Sequence, residues 1–396
     1  MFRSVVTSRA GVHDIRMLKA NHIRNMLAAG SSTRLIRSNA ALLSGNLVTA
    51  LVAVAVNRGC KLPFLAAAIV ALIPISARSA APRCPAPRAT LLAAGLAPAI
   101  GSTVGPDGAL YIAEGAAGRI SRIDPNTGEV TTFATGLPKA IVPVGGPMDI
   151  AFLGDTAYVL VTLVGPDVGG TDIDGIYRID GPDTFTVVAN IGRWSIAHPP
   201  KPAFFVPSGV QFALEAHRGG FLVTDGHHNR LLRVKVDHCM SSPPANDSNV
   251  TELIAFDDIV PTGLAVSGNT IYMAEAGPIP HLPQDGKVVE FGFRTPTPTE
   301  MAAGARLLVD VETGPRHELY ALSQGVWGGP EAGDPALPNT GSLVKVDGDG
   351  GFTVVIEHLD RPTSLEFIGN TAYITSLAGE VWKIEDVSCR HRHDSR

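Results

Sequence analysis

Three carboxylates recur at one position of a repeated pattern. Glu114, Asp225 and Glu275 each stand three residues after the centre of a short apolar run, at Tyr111, Leu222 and Tyr272. Carboxylate oxygens gathered around one opening could bind a hard cation, and Ca²⁺ is the candidate ion. Three further runs carry Val161, Ser323 and Ser376 at that position. Asp225-Gly-His-His-Asn-Arg230 also has the composition of a turn in which Asp and Asn bond local backbone, so a structural role stands beside the metal reading. His227 and His228 could move protons near neutral pH, or simply be solvated. Trp327, within Gly325-Val-Trp-Gly-Gly329, could stack on a planar or sugar ligand, or plug a channel. No Ser-His-Asp spacing, phosphate loop, dinucleotide fingerprint or CxxC pair is present, so no catalytic residue is assigned.

The elements that would position these residues repeat. The runs are Ala-Leu-Tyr111-Ile-Ala-Glu, Thr-Ala-Tyr158-Val-Leu-Val, Gly-Phe-Leu222-Val-Thr-Asp, Thr-Ile-Tyr272-Met-Ala-Glu, Glu-Leu-Tyr320-Ala-Leu-Ser and Thr-Ala-Tyr373-Ile-Thr-Ser. A period of roughly 50 residues with short strands predicts propeller blades. Most runs follow a hairpin turn such as Pro106-Asp107-Gly108 or Ser267-Gly268-Asn269, where Gly and Asn supply positive φ. A third strand follows each run. A fourth is expected at residues 130–134, 185–189, 250–256, 306–311 and 352–357. The sixth unit lacks one, and Ala89-Thr-Leu-Leu-Ala-Ala-Gly95 can supply it from the other end, closing the ring. The expectation is an all-β, six-bladed β-propeller of four-stranded blades over residues 88–386, with a tail at 387–396. A ring closed on itself is expected to be a monomer.

Closure places Cys84 and Cys389 just outside neighbouring strand ends. A bridge between them and two unpaired thiols are both open readings. Loops joining strands two and three share a face with loops joining successive blades. That upper face carries insertions at 163–174, 191–203, 277–286 and 324–341, with Trp194, His198, His281 and Trp327. Asp149, His317 and Glu318 are polar residues where inner strands are expected to begin. Together with His227, His228, His281 and Trp327 they are the candidate ligand-binding residues. The lower face carries insertions at 237–249 and 294–305. The first holds two glycosylation sequons, at Asn246 and Asn249. The second has a helix-start signature, Thr297 with Pro298 and Glu300, and predicts a short helix.

Residues 1–80 read as a targeting region. They hold ten Lys/Arg and one acid, Asp14. A transit-like segment leads to Arg58 and Lys61, an apolar stretch over 62–75 and Ala77-Arg78-Ser79, the grammar of a cleavable signal. An uncleaved membrane anchor built from that stretch and residues 41–56 is the alternative. The expected location is extracytoplasmic, secreted or periplasmic, with an organellar lumen as the other option. The remainder has 22 Lys/Arg against 36 Asp/Glu, which excludes the basic footprint that nucleic acid requires.

Two runs resemble a known family. Gly219-Gly-Phe-Leu-Val-Thr-Asp-Gly-His-His-Asn-Arg-Leu-Leu-Arg-Val234 and Val260-Pro-Thr-Gly-Leu-Ala-Val266 resemble the ScyD/ScyE family, and the Asp-Gly-x-x-Asn-Arg turn is similar to NHL repeats. The resemblance implies an exported six-bladed propeller without an established reaction. The more distant gluconolactonase-like and streptogramin-lyase propellers are metal-dependent enzymes that use acids, Asn or His at the channel mouth. This sequence aligns Glu114, Asp225 and Glu275 there, with no Asn or His. The primary expectation is therefore binding of a small molecule, glycan or protein on the upper face without turnover. A metal-dependent hydrolase or lyase and a structural scaffold are the alternatives.

Overall fold

The computed structural model describes residues 86–388 apart from Ala203, Thr295 and Ala332. Six four-stranded antiparallel sheets form the blades. The chain opens with β1 (Arg88–Ala94), then runs blade one as β2 (Ala99–Val104), β3 (Leu110–Glu114), β4 (Arg119–Ile123) and β5 (Val130–Ala134). Blade two is β6 (Gly146–Leu153), β7 (Thr156–Thr162), β8 (Gly175–Gly181) and β9 (Thr184–Asn190), followed by helix α1 (Ile191–Ala197). Blade three is β10 (Gln211–His217), β11 (Gly220–Asp225), β12 (Arg230–Lys235) and β13 (Val250–Ala255). Blade four is β14 (Pro261–Ser267), β15 (Thr270–Glu275), β16 (Lys287–Gly292) and β17 (Thr299–Ala303). Blade five is β18 (Leu308–Thr313), β19 (Leu319–Ser323), β20 (Gly341–Val346) and β21 (Phe352–Leu359). Blade six is β22 (Pro362–Ile368), β23 (Thr371–Ser376) and β24 (Glu380–Glu385), completed by β1 in the order β1-β24-β23-β22.

The ring closes as the repeat implies. Arg88 pairs with Glu385 and Ala94 with Glu380. The aligned apolar runs are the second strands. They are buried along nearly their whole length because each is sandwiched between neighbouring blades. Tyr158 and Tyr320 are fully buried wedges at the aligned position. The outermost strands face solvent; β5 is exposed over its first three residues.

Two expectations fail, for one reason. Residues 299–303, Thr-Glu-Met-Ala-Ala, form β17 and not a helix; they pair with β16 from Lys287–Ala303 to Glu290–Thr299. The blade's need for a fourth strand overrides the helical preference of Glu, Met and Ala. Residues 306–311 are then not an outer strand. They lead into β18, the inner strand of blade five. Consequently Pro315, His317 and Glu318 lie in the lower-face hairpin between β18 and β19, not where an inner strand begins.

Cys84, Cys389 and the whole targeting region lie outside the described residues, so the ring-closing bridge and the leader have no structural account. Cys239 is a free, exposed thiol. Asn246 is exposed, whereas Asn249 is buried and its amide donates to the carbonyls of Val188 and Lys235 at 3.0 and 3.1 Å.

Candidate functional site

The three aligned carboxylates end their strands as expected, but they do not assemble into one site. Glu114 is fully buried and saturated: Arg119 Nε and Nη2 each donate to it at 2.8 Å, Ala97 N–H at 2.6 Å, and Ser121 Oγ also donates. Asp225 accepts from Val210 N–H at 3.0 Å, His228 N–H at 3.1 Å and Arg230 Nε at 3.3 Å. Glu275 is 5% exposed, and burial pushes it up to about 7 against the opposing pull of Lys287. Among the described residues, no group of three or more His, Cys, Asp or Glu is placed to share a metal ion.

The histidines serve the same local network. His228 Nε2 donates to the Val206 carbonyl at 3.0 Å, and its Nδ1 accepts from Arg230 Nη2 at 2.8 Å. His227 accepts from Val206 N–H at 3.2 Å and packs edge-on against Phe204 and Phe205; burial holds its pKa below the usual value. His281 is buried, bonded to the Ala276 carbonyl at 3.2 Å, with Trp327 edge-on at 5.9 Å. His317 is exposed, and Glu318 takes the Tyr320 hydroxyl at 3.2 Å.

What lines the axial channel comes from the six inner strands alone. Each inner strand shifts register against its neighbour near its upper end, between Pro147 and Asp149 in β6 and between Leu308 and Asp310 in β18, for example. A bulge of this kind re-aims the side chain that follows it. Asp149 and Asp310 stand just past their bulges, on blades two and five, opposite one another in the ring. Their bonding is matched. Asp149 accepts from its neighbour Ile150 N–H at 2.8 Å and from Leu214 N–H of the next blade at 2.7 Å. Asp310 accepts from Val311 N–H at 2.9 Å and Leu365 N–H of the next blade at 2.7 Å. The preceding blades leave room with glycine: a Cβ at Gly101 would collide with Asp149, and one at Gly263 with Asp310. Ser364 fills the same role at the closing junction, accepting from Ser102 N–H at 3.1 Å.

A second tier lies below. Glu215, Glu312 and Glu366 pair across their hairpins with Leu222, Tyr320 and Tyr373, the aligned repeat position. Two adjoining narrow cavities, each with room for little more than a water molecule, share Asp149, Ala213, Asp310 and Ser364. The exposed surface of these acids faces that narrow space and not bulk water, so ionisation is costly. Burial and the nearby Asp310 push Glu215 up to about 8, and burial puts Asp310 at about 7. Burial first, then mutual repulsion, holds Asp149, Glu312 and Glu366 well above the usual carboxylate range. Near neutral pH the channel is largely a column of carboxylic acids. Phe212 reaches across it, packing against blades two to four and against blades five and six.

The upper face, where the channel opens, carries most of the exposed apolar side chains. Among the described residues, seven of the ten exposed large apolar side chains sit on upper-face connections: Ile141, Ile196, Phe205, Ile279, Leu282, Val326 and Leu337. The other three lie on outermost strands, so the apolar exposure is concentrated on one face.

Of the sequence candidates, only Asp149 lines the channel. Glu215, Asp310, Glu312 and Glu366 are not among them, although three of the four stand seven or eight residues before an aligned Leu or Tyr.

No family model matches the chain. No curated protein matches it by sequence. Among solved structures, the chain is similar to a gluconolactonase from Xanthomonas campestris at 13% identity and a TM-score of 0.52, covering 76% of this chain and 89% of that one. It is also similar to virginiamycin B lyase from Staphylococcus aureus, at 13% identity, a TM-score of 0.45 and coverage of 76% and 98%. A PQQ-bound aldose sugar dehydrogenase from Streptomyces coelicolor gives 13%, 0.47, 76% and 99%. At 13% identity the likeness to the gluconolactonase is one of fold alone, that of a six-bladed propeller.

Proposed function

We propose that the chain is a binding protein without turnover, taking a small molecule with an apolar body and a cationic end at its upper face. The observation that carries this is the pairing of exposed apolar side chains on the upper face with an acid-lined channel beneath it. That face would hold the body through apolar burial. The acids would hold the cation by ionising as it binds, their protons passing to solvent. The saturated bonding of Glu114 and Asp225 weighs against a hydrolase built on the aligned carboxylates. The composition of residues 1–80 supports an extracytoplasmic location, and the runs Gly219-to-Val234 and Val260-to-Val266 support kinship with ScyD/ScyE propellers.

Dansylcadaverine, an aromatic sulfonamide ending in an ammonium group, is a direct probe. Its fluorescence is expected to rise saturably with the protein, and the neutral dansylamide is expected to bind at least about tenfold more weakly. Glu312→Gln/Glu366→Gln should remove most of that preference. Affinity should grow from pH 6 to 8.5, because a cation favours the ionised acids and binding then releases protons. Equal binding of both dyes, or none of either, would sink the proposal.

A further inference from the structure

The lower face carries the opposite chemistry. Twelve arginines lie in the described region, and eight of them pair with a carboxylate: Arg88, Arg119, Arg122, Arg178, Arg193, Arg230, Arg316 and Arg361. Arg218, Arg233, Arg294 and Arg306 have no such partner among the described residues. Two of these four, Arg218 and Arg233, meet at the lower junction of blades three and four, and Arg294 is adjacent in sequence to the ring they share. Arg218 forms the tip of the β10–β11 hairpin, Arg233 lies on β12, and Arg294 follows β16.

The junction is ordered around one ring. Arg218 Cζ lies 5.3 Å and Arg233 Cζ 4.9 Å from the centroid of Phe293. The His217 ring packs 4.8 Å from the same centroid. Arg218 Nη2 donates to Asn269 Oδ1 at 2.9 Å, and Asn269 O accepts Phe293 N–H at 3.3 Å, which fixes the hairpin tip against the ring. Stacking on an aromatic face leaves the in-plane N–H edges of a guanidinium free for bidentate bonds. His217 is 8% exposed, yet its Nε2 is buried with no hydrogen-bond partner. Such a group is costly in a protein interior and marks a place where a partner belongs.

We infer that this junction binds a small polyvalent oxyanion of the phosphate class, held by Arg218 and Arg233 with His217 Nε2–H completing the set. Two forked cations match the oxygens of phosphate or pyrophosphate. Solvated arginines stacked on a surface ring would leave the His217 nitrogen unexplained. The site is on the opposite face from the channel rim, so it does not depend on the proposal above.

Calorimetric titration of the full chain with pyrophosphate, at fixed ionic strength, tests it. Saturable binding is expected, about tenfold or more weaker in Arg218→Gln/Arg233→Gln and unchanged in Arg316→Gln, a lower-face arginine that already has a partner. Ring NMR signals of His217 should shift on titration, with its pKa rising toward the usual value as the anion offsets the two cations that now help depress it. That measurement is made on the unaltered protein, so it stands even if the double variant fails to fold. Absence of saturable binding, equal loss in Arg316→Gln, or an unmoved His217 each overturns the inference.

Discussion

Arg230→Ala is expected to cost about 3–5 kcal/mol of stability, the range for stripping one partner from a buried ion pair. Arg230 is 1% exposed and is among the largest fully buried side chains. Its guanidinium donates to the His198 carbonyl at 2.8 Å, to His228 Nδ1 at 2.8 Å and to Asp225 Oδ2 at 3.3 Å, and it lies 5.0 Å from the Trp194 ring. Burial works to raise the Asp225 pKa, but His228 and Arg230 outweigh it and hold that carboxyl below its usual range. Remove the arginine and a fully buried carboxylate loses the contribution of one of the two partners that hold it ionised, while the end of α1 loses its tie to blade three. Arg230→Lys should recover little, since one ammonium cannot reach three acceptors and stack on the indole. Asp225→Asn/Arg230→Met should lose less than Arg230→Ala, because no buried charge is stranded. Urea unfolding of the four proteins checks this, and a loss below about 1 kcal/mol in Arg230→Ala would show that the network is not what holds this corner.

The same network shows what a sequence can and cannot say. Asp225-Gly-His-His-Asn-Arg230 reads as a turn whose polar residues bond locally; Asp225 does so, accepting His228 N–H at 3.1 Å, but Asn229 Oδ1 reaches out of the turn to Ile259 and Val260 N–H at 3.0 and 2.8 Å. The aligned tyrosines are equally legible, because a buried second strand between two blades leaves a dense apolar signature at a fixed period. The channel is not legible. Its acids lie on inner strands, where the period-two pattern is broken by a bulge in every blade. One slipped assignment does the rest. An outer strand at residues 306–311 would put Asp310 and Glu312 far from the axis. Placing β17 at Thr299–Ala303 moves both to the centre. The bonds that aim Asp149 and Asp310 come from Leu214 and Leu365, 65 and 55 residues away, and only the closed ring brings them there.

The channel acids should make the propeller less stable as pH rises from 6.5 to 8.5, the reverse of the behaviour that salt-bridged carboxylates confer. The sign follows from linkage. Glu215 and Asp310 titrate near 8 and 7 in the folded chain, well above the ordinary carboxyl range, so the folded state holds protons that the unfolded chain has released. Stability from such groups is complete below the unfolded pKa and is lost as pH climbs through the folded one. Asp149, Glu312 and Glu366 are raised in the same sense by burial and repulsion, extending the loss toward higher pH. His217 and His227 act oppositely: burial depresses both, so they favour the fold as pH rises toward the ordinary histidine value of 6.5 and are neutral above it. Asp225, depressed by its partners, costs stability only in acid. Glu275, pushed up to about 7 by burial, acts in the same sense as the channel acids, so the window from 6.5 to 8.5 reports the five channel acids together with Glu275. A tenfold difference in proton affinity between the folded and unfolded chain is worth about 1.4 kcal/mol, and the groups are coupled, so a total fall of several kcal/mol is the right order. At about 2–4 °C per kcal/mol for a large domain, Tm should drop by roughly 10 °C across the window. Glu215→Gln/Glu312→Gln/Glu366→Gln should flatten the profile and raise Tm at pH 8.5 above that of the parent. A parent Tm that is constant or rises over this range would mean that the five carboxyl groups are solvated like any others, and that the channel is an open pore and not a closed acid column.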